Sequence, residues 1–241
     1  MVAGLLLPIY CLAATITLNP TDDAFVYSPT DVSNWNYGAV SNLLVSKAFD
    51  GNGNLTGERQ TYLKFDLTSL AGINPADVTS VDLRLYVTTS AGGPVVAYHS
   101  PDIYSTSSNP WVEGNGIGQV IPVIPGITWN NKPSLAGAPL MGTSPNLTPY
   151  PAYYTIDLLA GGISWVAGDL SDHFLSVALL LPGSVTTSTA YYFCSKESGL
   201  NCGSSLQIQY ADVPSAVPEP ATLLFLGSGL IGLIGFRRFK K

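Results

Sequence analysis

The chain has 241 residues, a formal net charge of −6 and only 11% charged side chains. This acidic balance excludes nucleic-acid binding as a main function, because phosphate recognition needs a clustered basic surface. The scarcity of charge is unusual for a cytosolic enzyme and is typical of secreted β-proteins, whose polar surface is mostly Ser, Thr, Asn and Gly.

The amino-terminal segment, residues 1–14, has the composition of a signal peptide. It is apolar almost throughout, and Cys11, Leu12 and Ala13 supply residues of the kind that a signal peptidase reads. No Lys or Arg precedes the apolar run, so only the α-amino group provides positive charge at this end. We expect cleavage after Ala13 or Ala14 and export of the remaining chain.

Residues 15–210 have the pattern of one domain made of many short strands with Gly-rich and Pro-rich turns between them. Helical periodicity is almost absent, and one short helical segment is expected at residues 158–167. The predicted strands are residues 24–27, 41–48, 60–67, 80–87, 95–98, 155–158, 175–181, 190–194 and 205–210.

Alternation along the strands indicates which side chains face the core. In residues 60–67, Leu63 and Phe65 are predicted to face inward, and Tyr62 and Lys64 to face away. This number of short strands predicts an all-β fold, a two-sheet antiparallel β-sandwich of jelly-roll type. Residues 211–217 are predicted to form a linker.

Two cysteines remain after removal of the signal peptide. Cys194 and Cys202 flank a segment that resembles a turn between two strands. We expect a disulfide, which would stabilise the fold by about 2–3 kcal/mol by closing this small loop. The alternative is a metal or redox pair, although such a site needs more ligands or a Cys-x-x-Cys spacing.

The carboxyl-terminal 24 residues predict one short transmembrane helix. Pro218, Glu219 and Pro220 mark a boundary, because two prolines cannot lie inside a helix. Residues 221–236 then carry no charge, and the basic residues Arg237, Arg238, Lys240 and Lys241 follow. This basic end points toward the cytoplasm. Without the +3 charge of the tail, the exported part has a net charge of −9.

This tail resembles the bacterial PEP-CTERM sorting signal. The resemblance rests on Pro218-Glu219-Pro220, the apolar residues 221–236 and the cluster Arg237-Arg238, in the order typical of that signal. It implies that residues 218–241 are the substrate of a membrane protease, exosortase, which cuts near the Pro-Glu-Pro. It also implies membrane anchoring of the precursor, followed by passage to the outer surface or the exopolysaccharide matrix.

The predicted sandwich also has a resemblance, which extends over residues 19–210. It is similar to the secreted bacterial DNRLRE domain, which is related to a carbohydrate-binding-module family with a jelly-roll fold. The pieces that carry the resemblance occur in order at residues 23–26, 36–38, 62–67, 81–86, 111–113, 127–133, 156–158, 165–168 and 193–197.

Aromatic side chains in predicted loops are candidates for glycan binding. Aromatic rings can stack on pyranose rings while short polar side chains bind hydroxyl groups. Trp35 with Tyr37, and Trp111, lie in loops where a ring could be exposed. Trp129 and Trp165 are predicted instead to pack in the core.

Aspartates near strand ends are candidates for a structural calcium site, because hard cations take several oxygen ligands. The candidates are Asp22, Asp23, Asp66 and Asp157. Aspartates at strand ends also serve as turn formers, which is the alternative interpretation of the same residues.

The sequence predicts no catalytic constellation. His99 and His173 are not at a metal-ligand spacing, and both are expected to be ordinary surface or loop residues. No Gly-x-Ser-x-Gly motif occurs in the predicted domain, and no spacing singles out a pair of carboxylates for glycoside hydrolysis.

We therefore expect an exported, non-enzymatic protein of the cell surface or extracellular matrix that associates with exopolysaccharide. One alternative is a secreted enzyme that degrades polysaccharides. A second alternative is an adhesin or structural matrix protein without glycan specificity.

Overall fold

The computed structural model describes residues 12–118, 126–199 and 201–212. Within these ranges the chain forms eleven strands and one short α-helix. They are β1 (Leu12–Leu18), β2 (Asp22–Tyr27), β3 (Asn42–Phe49), β4 (Leu55–Asp66), β5 (Val78–Ser90), β6 (Val96–Ser100), β7 (Leu140–Thr143), β8 (Ala152–Asp157), α1 (Val166–Asp172), β9 (Phe174–Leu180), β10 (Thr189–Cys194) and β11 (Ser205–Asp212).

The strands form one continuous curled sheet in the order β1-β11-β5-β10-β3-β4-β9-β6-β7, with β2 added on β4 and β8 on β5. Each pair of neighbouring strands among β2–β11 is antiparallel. Side chains from strands that are far apart in this order, such as β5 and β9, pack together in one core, because the sheet curls on itself. The structure thereby confirms the predicted all-β sandwich.

Strand β5 shows how the sequence pattern produces this packing. Val81, Leu83, Leu85 and Val87 alternate with more accessible residues, and all four are buried. A strand places successive side chains on opposite faces, so an apolar residue at every second position covers one face. At about 1.5–3 kcal/mol for each large aliphatic side chain, this row makes a large contribution to folding.

Strand β4 departs from the prediction because both of its faces are covered. Leu63 and Phe65 face the main core as expected, but Tyr62 and Lys64 are also buried. Described residues of the long connection between β6 and β7 lie over the outer face of the sheet. This arrangement brings Trp111 against Tyr62, with ring centroids 6.2 Å apart, in a second and smaller apolar cluster.

The helical segment lies further along the chain than the sequence predicts. Helix α1 begins at Val166, whereas residues 158–165 contain turns. Gly161 approaches strand β7 closely enough for its amide to donate a hydrogen bond of 2.7 Å to the Met141 carbonyl. Gly162 has a positive φ of 109°. A regular helix cannot form through these residues, because glycine lacks helix propensity and φ here is outside the helical region.

The predicted disulfide is confirmed. Cys194, the last residue of β10, is bonded to Cys202. The enclosed segment contains a 3₁₀ turn at Lys196–Ser198, followed by Gly199 with a positive φ of 67°. The bond therefore holds a turn at the end of β10, which pairs with β3 on one side and β5 on the other.

No helix within the described ranges has the length and apolarity that crossing a bilayer requires. The predicted transmembrane helix at residues 221–236 lies outside these ranges. The same holds for the predicted sorting residues Pro218, Glu219, Pro220, Arg237 and Arg238. Strand β1 begins at Leu12, inside the predicted signal peptide, whose first 11 residues are also outside the described part of the chain.

Candidate functional site

Trp111 is a core residue, whereas the sequence places it in a loop where its ring could be exposed. Its side chain is 0% exposed, and its indole N–H donates a hydrogen bond of 3.1 Å to the Ser176 hydroxyl. The buried Lys64 ammonium lies 4.3 Å from the centre of the ring and donates a hydrogen bond to the Trp111 carbonyl. The ring therefore has no free face for a sugar.

Trp35 and Tyr37 lie on the connection between β2 and β3 and are half-buried. The Tyr37 ring stacks on the buried Phe25 ring, with centroids 4.3 Å apart, so one of its faces is covered. The Trp35 indole N–H is buried and has no hydrogen-bond partner among the described residues. Glycan binding by Trp35 and Tyr37 stays a prediction.

Asn36, between these two aromatic residues, ties three segments together. Its side-chain amide donates hydrogen bonds of 2.5 Å to the Glu113 carbonyl and 2.8 Å to the Ile127 carbonyl. Its side-chain oxygen accepts bonds of 2.7 Å from the Gly116 amide and 3.3 Å from the Gly38 amide. In the sequence, Asn36 stands out only as part of a family motif, and nothing in its neighbours indicates this role.

An open groove of about 320 Å³ lies where β4, β6 and β9 meet the connections beside them. Its walls combine one aromatic ring, Tyr98, with leucines and two charged side chains. The lining residues are Lys47, Glu58, Tyr98, Leu135, Leu180, Leu181 and Gly183. The groove has no signal in the sequence, because its residues come from separate strands and loops.

Charged and polar groups around the groove are held in place by hydrogen bonds. The Lys47 ammonium donates a bond of 3.0 Å to the Pro182 carbonyl, and Glu58 accepts one of 3.1 Å from Gln60. The Lys132 ammonium lies 4.5 Å from the centre of the Trp129 ring. Burial lowers the pKa of Lys132, while the charge of Glu58 opposes that shift. Trp129 is half-buried and packs against the smaller apolar cluster, whereas the sequence predicts a core residue.

Two of the four predicted calcium ligands act as turn formers. Asp66 is exposed and accepts hydrogen bonds from the Thr68 amide at 2.8 Å and the Thr68 hydroxyl at 2.5 Å, and these bonds lower its pKa. Asp157 is exposed and accepts a bond of 2.8 Å from the Leu159 amide. The structure does not place either beside a carboxylate cluster among its described residues. A calcium ligand role for them stays a prediction.

Asp23 belongs to a cluster of three carboxylates, with Glu113 and Glu197. Oxygen atoms of these residues lie within 4.8 Å of one another. Glu113 accepts a hydrogen bond of 2.8 Å from the Asp23 amide, and Asp23 accepts one of 2.8 Å from the Lys196 amide. The sequence does not predict this cluster, because no local spacing connects Glu113 and Glu197 with Asp23.

Asp22, the fourth predicted ligand, borders this cluster from the opposite face of β2. One of its oxygens accepts a hydrogen bond of 3.1 Å from the Glu113 amide, and the other lies 3.5 Å from the Lys64 ammonium. Asp22 therefore already has a cationic partner.

Burial and like charge make Asp23 an unusual acid. Burial raises the pKa of Asp23 to about 8; the Lys196 amide opposes this, and the charges of Glu197 and Glu113 add to it. The Lys196 ammonium lies 2.5 Å from a Glu113 oxygen and 2.7 Å from a Glu197 oxygen. Burial lowers the pKa of Lys196, but these two hydrogen bonds offset the loss and hold that pKa above its ordinary value.

His99 forms a partly buried ion pair, whereas the sequence predicted an ordinary surface or loop residue. It lies on β6, and its Nε2 is 2.9 Å from a carboxylate oxygen of Asp169 on α1. Burial lowers the pKa of His99, but the hydrogen bond and charge of Asp169 outweigh burial and raise it above 6.5. His173 ends helix α1 in the left-handed conformation, with a φ of 68°.

The His99–Asp169 pair predicts how stability depends on pH. A raised folded-state pKa means that folded His99 retains its proton more tightly than the unfolded chain does. Its contribution is therefore lost as the pH rises from 6.5 through the folded-state pKa of His99. It also weakens below about pH 6, because burial raises the pKa of Asp169 to about 6 and the pair loses its negative charge there. The free energy of unfolding, measured in urea at several pH values, should fall above pH 6.5 in the wild type. In His99→Gln it should depend less on pH.

The control for this measurement is His173→Asn, which keeps a residue that tolerates a positive φ. It should retain the wild-type slope above pH 6.5. An unchanged slope in His99→Gln would show that the pair does not govern the pH dependence.

Comparisons with known proteins agree with the resemblances seen in the sequence. The PEP-CTERM protein-sorting motif matches residues 216–238. The chain is similar to a gellan lyase of Bacillus sp, with 27% identity over 144 residues. The match covers 60% of this chain and 5% of the gellan lyase, so the chain spans a small part of that protein's length.

The family described as carbohydrate-binding module family 96 matches residues 14–210, which contain almost the whole described sandwich. This match confirms the predicted relation to carbohydrate-binding modules, and it extends over both the groove and the carboxylate cluster. The chain belongs to carbohydrate-binding module family 96.

Proposed function

We propose that this protein is an exported, non-catalytic polysaccharide-binding protein of the cell surface or extracellular matrix. The observation that carries the proposal is the family match, which covers residues 14–210. The expected ligand is exopolysaccharide, and the expected binding site is the groove that contains Tyr98.

The groove has the surface chemistry that a sugar chain needs. The half-buried Tyr98 ring and the Leu135 and Leu180 side chains offer apolar surface to the C–H faces of pyranose rings. Lys47 and Glu58 offer a donor and an acceptor for hydroxyl groups in the same groove. An open groove can also accept a segment in the middle of a long chain, which an enclosed cavity cannot.

The sorting motif supports the proposed route to the surface. Its match at residues 216–238 supports export and membrane anchoring of the precursor. We propose that an exosortase-type protease processes this tail and that the sandwich remains outside the membrane. The disulfide between Cys194 and Cys202 agrees with an oxidising compartment.

The similarity to a gellan lyase favours a second candidate function, an enzyme that degrades polysaccharides. The aligned region is 5% of that protein's length, so its activity need not reside in the part that resembles this chain. A shared ability to bind a polysaccharide would explain the similarity without catalysis. An adhesin or structural matrix protein without glycan specificity is the third candidate.

Binding of gellan to the full chain, purified in mild detergent, tests the proposal. Dextran serves as a neutral polysaccharide for comparison, and new chain ends are measured in the same samples. Tyr98→Ala should weaken binding about tenfold, because aromatic contacts of this kind contribute about 0.5–1.5 kcal/mol beyond the area they bury. Binding without new chain ends supports the proposal.

Tyr86→Ala is the matched control, because Tyr86 is a half-buried tyrosine on β5 that contacts Tyr153 outside the groove. It should bind gellan as the wild type does. Equal losses of gellan binding in the two variants would show that the groove is not the binding site. New chain ends would favour the enzyme, and no binding to either polysaccharide would favour the structural protein.

A further inference from the structure

One carboxylate oxygen of Asp23 is buried and accepts no hydrogen bond from the described residues. The residue is 0% exposed, and its Oδ1 atom has no hydrogen-bond partner among the described residues. Its other oxygen accepts one backbone hydrogen bond, from Lys196. An ionised carboxylate without a cation or a full set of donors is costly to bury, so such an atom indicates a missing ligand.

Three segments that are far apart in the sequence converge on this oxygen. Asp23 comes from β2, Glu113 from the connection that Asn36 holds, and Glu197 from the turn that the disulfide closes. The turn is held further by Ser195, whose hydroxyl donates a bond of 2.6 Å to the Val40 carbonyl. The three carboxylates are thus brought together by the fold and do not depend on one exposed loop.

When all three groups are ionised, the charges in the cluster do not balance. Asp23, Glu113 and Glu197 then contribute three negative charges, whereas Lys196 is the one cation bonded to the cluster among the described residues. Its ammonium contacts Glu113 and Glu197 but makes no ion pair with Asp23. A further positive charge near the Oδ1 atom would satisfy the buried oxygen and reduce the repulsion.

We propose that Asp23, Glu113 and Glu197 form a binding site for a divalent cation, with Ca²⁺ as the preferred ion. Ca²⁺ takes six to eight oxygen ligands in flexible geometry and accepts carboxylates in one-oxygen or two-oxygen contact. Water supplies the remaining ligands. Of the four residues predicted from the sequence, this site uses Asp23 alone.

In the absence of the cation, the Lys196 ammonium neutralises part of the negative charge of the cluster. Besides its two carboxylate contacts, it lines a polar pocket of about 350 Å³ together with Asn19, Asn201 and Ser204. The Ser204 hydroxyl is buried and has no hydrogen-bond partner among the described residues. The pocket therefore offers space and polar partners for the ammonium when a cation enters the cluster.

Titration of the chelator-treated full chain with CaCl₂ tests the site, with thermal unfolding and calorimetry as readouts. The wild type should unfold about 5 °C higher or more when free Ca²⁺ reaches about one hundred times its Kd. Asp23→Asn keeps the size of the side chain and its bond to the Lys196 amide, so it should fold but lose the calcium shift. Lys196→Gln should bind Ca²⁺ about tenfold more tightly, because one competing cation is removed.

Asp157→Asn is the control and should keep the full shift, because Asp157 lies outside the cluster. A wild type that neither binds Ca²⁺ nor gains stability overturns the proposal. A full shift in Asp23→Asn overturns it as well, and an equal shift with Mg²⁺ overturns the assignment of the ion. The site does not rest on the groove, and gellan binding is measured separately, so either proposal can fail alone.

Discussion

Trp111→Ala is expected to lower the free energy of unfolding by about 3–5 kcal/mol, the usual range for a large buried aromatic residue. The indole packs against Tyr62 and Ile127 in the smaller apolar cluster. Its removal leaves a cavity between the sheet and the connection that covers it. The Ser176 hydroxyl also loses its indole donor, although Ser176 still donates a bond of 2.5 Å to Asp102.

Urea unfolding measures this loss, and Trp111→Phe separates packing from hydrogen bonding. Phenylalanine fills much of the space but cannot donate to Ser176, so this variant should lose clearly less stability than the alanine variant. Gellan binding by Trp111→Phe should match the wild type, because the ring at this position is buried. A loss of binding with little loss of stability would restore Trp111 as a glycan-contacting residue.

Asn36→Ala is expected to cost about 3 kcal/mol, because buried groups left without partners cost about 1–3 kcal/mol each and partly relax. The substitution removes the donors to the Glu113 and Ile127 carbonyls and the acceptor for the Gly116 amide. The backbone segments around Asn36 are so close together that they have little room to shift into the space left by the amide group. A Cβ atom on Gly126 would lie 2.2 Å from the Glu113 carbonyl oxygen.

Asn34→Ala is the matched control on the same connection. Asn34 is exposed and accepts a hydrogen bond of 2.6 Å from the Asn130 side chain. Exposed substitutions of this kind usually stay within about 0.5 kcal/mol, so urea unfolding should separate the two variants clearly. Similar losses in both would mean that Asn36 does not hold the three segments together. Asn36→Asp keeps the acceptor but not the donors, and it should lose most of the same stability.

The amino-acid sequence determined the features that depend on local pattern. Period-two alternation in β5 placed Val81, Leu83 and Leu85 in the core, because the side-chain direction in a strand follows from position alone. The spacing of Cys194 and Cys202 within one turn identified the disulfide. The order of the tail residues identified the sorting motif at residues 216–238.

Tertiary structure decided the features that depend on contact between distant segments. Periodicity shows that Tyr62 and Lys64 share a face of β4, but not that a later connection covers that face. For the same reason Trp111 could not be assigned to the core from its own neighbours in the chain. Asp23, Glu113 and Glu197 are separated by 90 and 84 positions, and only the folded sheet brings their carboxylates within 4.8 Å. Residue type predicts what such groups can bind, whereas their convergence depends on how the sheet curls and which loop covers it.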